Sequence, residues 1–138
     1  MALFVLASWL VTVVVGLVAL LQWRRRAAWS RLPTRLVTLH AAAAVAGTAV
    51  WTVHVGTGSL VAAWTCFVVA NVTNGLGDAV LTRRYRMRTA ARGSVPHDYG
   101  RAVLEIVRGR RPNVALLHAL VGAVTYFSTL VACVLATW

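Results

Sequence analysis

The chain has 138 residues, 59% of them hydrophobic, and sets 14 basic side chains against three acidic ones for a net charge of +11. On a soluble core that imbalance would suggest a nucleic-acid partner; here four apolar runs point to a membrane instead, and no nucleic acid is expected. Residues 2–22, 36–55, 60–82 and 114–138 each reach the roughly 20 residues that a helix needs to cross hydrocarbon, which leaves no room for a separate soluble domain. The expected fold is a single all-α integral membrane domain over 1–138: a bundle of four transmembrane helices.

The first span holds little that is polar beyond Ser8, Thr12 and Gln22, and Gly16 permits a close neighbour. No basic residue precedes it, so it lacks the positive region of a cleaved signal peptide and reads as a retained helix. The basic residues are all arginines in two windows, five in 24–35 and nine in 83–111. Arginine beside apolar spans marks the cytoplasmic face. The expected topology is therefore a multi-pass protein of the cell membrane, with both termini outside and the basic loops 23–35 and 83–113 inside. Arg24, Arg25, Arg26, Arg83, Arg84, Arg110 and Arg111 are then candidates to meet anionic lipid head groups, at about 1 kcal/mol each.

Pro33 suits the start of the second span, whose Ala43 and Gly47 have the small-xxx-small spacing of close helix contacts. Leu39-His40-Ala41 recurs as Leu117-His118-Ala119 in the fourth span, and both spans follow an arginine window. The recurrence suggests two copies of a helical hairpin, one from each half of the chain. Gly56-Thr57-Gly58-Ser59 forms a tight outer turn.

The third span carries Asn71, Asn74, Asp78 and Thr82 at spacings of three and four, one polar stripe on a helix. In lipid such a stripe should face the bundle or a wet cavity. The helix should run on through Arg83–Arg86. After Gly93, Ser94 and Pro96, a short cytoplasmic amphipathic helix is expected over 98–108, capped by Asp98, stopped by Gly109, and burying Tyr99, Val103 and Ile106. In the last span Thr125, Ser128 and Thr129 should bond to their own helix or a neighbour. The Thr125–Thr129 stretch resembles a helix break of small fluoride channels, but its place in the last span departs from that family's order. Cys66 and Cys133 share a depth near the outer side, where a disulfide is open to them; two buried small hydrophobes is the favoured reading.

Ionisable groups inside spans are rare and often functional. His40 and His118 each lie about one turn from the cytoplasmic end of an outward-running helix, at the expected depth of Asp78, so the three should converge in the bundle interior. His54 follows His40 by 14 residues, which returns to within about 40° of the same face. This spacing resembles the paired histidines on the helices of diheme cytochromes b. The resemblance implies one low-spin haem b held by His40 and His118, with no second pair, because Ala132 stands where the partner of His54 would be. Ala44, Gly47 and Gly122 would leave room for a porphyrin edge, and Arg35 or Arg111 would neutralise its propionates.

Three functions stay open. The first is a b-type haem subunit passing electrons between a quinone pool and a partner. The second is a non-catalytic accessory or scaffold subunit of a larger complex, working through a protein partner or a second copy. The third is a small membrane enzyme, or a proton- or ion-coupled carrier, using Asn71, Asn74 and Asp78. No soluble-type catalytic motif or non-haem metal set stands out.

Overall fold

The computed structural model describes residues 1–25, 33–109 and 113–138. Among them are five helices and no strand: α1 (Ala2–Arg25), α2 (Thr34–Thr57), α3 (Leu60–Thr89), α4 (Val95–Val107) and α5 (Asn113–Thr137). Of these, α1, α2, α3 and α5 are long and apolar enough to cross a membrane. Arg26, Arg110 and Arg111 lie outside the described residues.

The helix ends follow local chemistry. Arg24 and Arg25 close α1, where cations suit the negative end of the helix dipole. Gly58 turns the chain after α2 with φ +68°, and Ser59 caps α3 by accepting from the Ala62 N–H at 3.3 Å. His54 fixes this turn from inside. Its Nδ1 donates to the Ser59 carbonyl at 3.0 Å, and its ring packs at a tilt against Trp51 with centroids 4.6 Å apart. As the sequence suggests, α3 runs on past its apolar part, ending at Ala90 with φ +53°.

Around the bundle, α1 packs on α2 and α5, and α3 packs on α2 and α5; α2 and α5 thus face each other across a diagonal. The two extensive seams are α2–α3 and α1–α5. The tight units are therefore not the two hairpins that the repeat suggests, α1 with α2 and α3 with α5, but the α2–α3 hairpin and the α1–α5 pair. The buried apolar cluster shared by the four long helices lies toward the end that carries the Gly58 turn: Val5, Trp9, Trp51, Ala63, Cys66, Ala70, Ala132 and Cys133. Trp9 lays its indole on Gly47 and donates to Thr129 Oγ1 at 3.2 Å, while Trp51 donates to the Ala2 carbonyl at 2.9 Å. The cysteines are free thiols, each donating to a carbonyl at 3.3 Å, Cys66 to Gly47 and Cys133 to Ala63. Hydroxyls bond back to their own helices, as with Thr129 to the Thr125 carbonyl at 2.6 Å, and α5 is continuous through this stretch.

The helix α4 begins three residues before the expected 98, with Ser94 at the N-cap position and Pro96 in its first turn. Asp98 is not the cap. It is buried against α3, where Arg86 Nε donates to Oδ2 at 2.6 Å and Arg86 Nη2 reaches the Gly93 carbonyl at 2.7 Å. Arg88 pairs with Glu105, about two turns further along α4. The buried face of α4 is thus Asp98, Ala102 and Ile106. Of the expected set only Ile106 is fully buried. Val103 is half-buried and Tyr99 exposed, because ion pairs rather than apolar residues set the rotation of the helix.

Candidate functional site

His40 on α2 and His118 on α5 meet across the bundle diagonal. Their ring centroids lie 6.0 Å apart and their planes stand at 87°. This level is about 10 Å along the axis from Trp9, as judged from Gly16 on α1, and beyond the apolar core. His40 Nδ1 bonds the Thr73 carbonyl on α3 at 2.9 Å. A carbonyl can only accept, so Nδ1 carries the proton and the Nε2 lone pair is free. His118 is different. Its buried Nδ1 makes no well-formed hydrogen bond, and the Thr12 backbone on α1 lies within hydrogen-bonding reach of the ring.

Glycines create the room for both rings. A Cβ on Gly77 of α3 would come 3.1 Å from His40 Cε1, and one on Gly16 of α1 would come 2.8 Å from His118 Cε1. The expected glycines serve other ends. Gly47 is filled by the Trp9 indole, where a Cβ would meet Cη2 at 2.5 Å, and Gly122 has no neighbour within 4 Å. Glycine does lie beside each histidine, but on the helix it faces and not on its own.

The polar stripe of α3 does not join the histidines. Asn71, Asn74 and Asp78 are exposed on the isolated chain. Asn71 donates to the Phe67 carbonyl at 2.8 Å and accepts from the Tyr126 hydroxyl at 3.1 Å, tying α3 to α5. Asp78 lines a groove of about 730 Å³ between α2, α3 and α4, with Leu36, Thr82, Arg83 and Tyr99. Its carboxylate is within electrostatic reach of His40 but sits off the bundle axis. The expected three-residue convergence is thus a pair, with Asp78 beside it. Asp78 directly follows Gly77, and the step of about 100° between neighbours on a helix turns it away from the face that meets His40. The Tyr99 phenol donates to Asp78, and burial first, then that neighbouring carboxylate, raises its pKa above the ordinary 10.0.

Among the described residues no three metal-ligating side chains converge. The arrangement instead brings two imidazole rings together from diagonal helices. His54, at the far end, is engaged with Trp51 and Ser59, and Ala132 lies in the apolar core. No protein-family model, curated protein or solved structure matches the chain.

Proposed function

We propose that the chain is a multi-pass protein of the cell membrane that holds one b-type haem between His40 and His118 and transfers electrons through it. The observation that carries this reading is the ring pair itself. Two imidazoles brought from diagonal helices stand 6.0 Å apart with orthogonal planes, and the buried Nδ1 of one makes no well-formed hydrogen bond. Buried polar atoms are rarely left unsatisfied without a functional reason. The Thr73 bond orients His40 in the way that outer hydrogen bonds orient metal-bound histidines. The packing also fits a plate-like group. His40 belongs to the tight α2–α3 pair and His118 to the α1–α5 pair, so the looser seams run between the ligands, beyond the end of the apolar core. When bound, the haem supplies one-electron redox chemistry; the chain supplies ligands, orientation and a dry setting.

The arginine asymmetry supports an orientation with the termini outside and the histidine end toward the cytoplasm. At that end Arg24, Arg25 and Arg83 are exposed and face the depth of anionic head groups. The test is the visible spectrum of protein purified from a haem-replete host. A reduced-minus-oxidised b-type difference is expected, and His40→Ala or His118→Ala should abolish it. A colourless wild-type protein would reject the reading in favour of an accessory subunit, to be pursued by co-purification in mild detergent.

A further inference from the structure

Each imidazole rests on the same short pattern of a facing helix. His40 lies against Thr73 and Gly77 of α3, bonding the threonine carbonyl and filling the glycine notch. His118 lies against Thr12 and Gly16 of α1 in the corresponding pose, with Cε1 nearest the glycine, then Nδ1, then Nε2, in both cases. Both threonine–glycine pairs are four residues apart, one helical turn, and both histidines sit in Leu-His-Ala. Exchanging α1 with α3 and α2 with α5 carries one half-site onto the other. The same exchange maps the α2–α3 seam onto α5–α1, the two extensive contacts of the bundle.

We infer that Thr12-x-x-x-Gly16 and Thr73-x-x-x-Gly77 are duplicated imidazole seats, and that Gly16 and Gly77 are positioning residues that hold His118 and His40 in the facing, orthogonal pair. The functional consequence rests on the haem reading; the seats themselves do not. A methyl group at either glycine displaces the ring it supports. The effect is larger at Gly16, where the contact would be 2.8 Å, than at Gly77, where it would be 3.1 Å. The seats also differ in detail: the Thr73 carbonyl accepts from His40 Nδ1 at 2.9 Å, whereas the Thr12 backbone lies within hydrogen-bonding reach of His118 without a well-formed bond at Nδ1.

Histidine-labelled protein, free of haem, tests the seats by nitrogen NMR, with signals assigned from His40→Ala and His118→Ala. Gly77→Ala should shift the ring nitrogens of His40, Gly16→Ala should shift those of His118, and Gly122→Ala should shift neither. Should Gly16→Ala fold poorly, a double-mutant cycle with His118→Ala decides. The added methyl is harmless once the ring is gone, so stability should return. Unmoved ring signals, or no rescue in the cycle, would overturn the seats. In the haem-loaded protein, each glycine variant should weaken haem binding by about 10–100-fold, the range seen when groups that orient metal ligands are lost. Expected ring shifts in a protein that takes up no haem would leave the seats standing and reject the haem reading. Haem binding with unchanged affinity in both glycine variants would reject the seats and leave the haem reading intact.

Discussion

At the level of single residues, the bundle depends on places where a side chain is missing. Gly47 has no Cβ because the Trp9 indole occupies that space, and Trp9, 3% exposed, also reaches across to Thr129. In a bilayer, helix association relies on close packing and hydrogen bonds more than on hydrophobic exclusion, so such a fit bears directly on stability. Gly47→Ala should push the indole out of register, strain or break the Thr129 bond, and cost about 1–3 kcal/mol, as overpacking typically does. Thermal unfolding in detergent measures it, with Gly56→Ala as the control, since nothing lies near that position. Equal behaviour of the two variants would contradict the fit. The small-residue spacing of Ala43 and Gly47 is visible in the sequence. That the occupant is a tryptophan from α1 is not, because one chain's periodicity does not say which helices become neighbours.

Among the elements, α4 is held by charge. Asp98 is 1% exposed and takes the Arg86 guanidinium, so Asp98→Asn leaves that cation without its counter-charge and should cost about 1.5–3 kcal/mol of docking. Tyr99 reports the outcome. Its phenol titrates above the ordinary 10.0 because it is partly buried and close to the Asp78 carboxylate. A folded pKa raised above the unfolded one stabilises fully below the unfolded value, and that contribution is lost as pH rises through the folded one. Docking of α4 should therefore weaken on the alkaline side of the ordinary phenol range. In Asp98→Asn the late-titrating tyrosine should move back toward its ordinary value, read by ultraviolet absorbance with Tyr99→Phe to assign it. An unmoved titration would mean that α4 stays docked without the ion pair. The existence of this helix and its stop at Gly109 are legible in the sequence; its start and its buried face are not. Ser94 with Pro96 competes with Asp98 as the N-terminal signal, and an apolar stripe gives no warning that a buried carboxylate will set the rotation. The four spans were easier to read, since length and hydropathy alone specify them.

For the whole molecule, the arginine windows predict a fixed orientation. Cysteines placed at Ser59 and Ser94 should react with impermeant reagents from opposite faces of intact vesicles, while the native Cys66 and Cys133, both 0% exposed, stay silent. Labelling of both introduced sites from one face would refute that topology. The seam between α1 and α5 has a further consequence, for biosynthesis. Of the five described helices, α1, the earliest made, takes its most extensive neighbour from α5, the latest. Until α5 is inserted, the His118 ring that fills the Gly16 notch and the Trp9 partner Thr129 are both missing, so α1 has only its lesser seam with α2 while α2 and α3 can already pair. A chain halted before α5 would keep one imidazole seat complete and the other empty, which makes insertion of α5 the step that assembles the histidine pair.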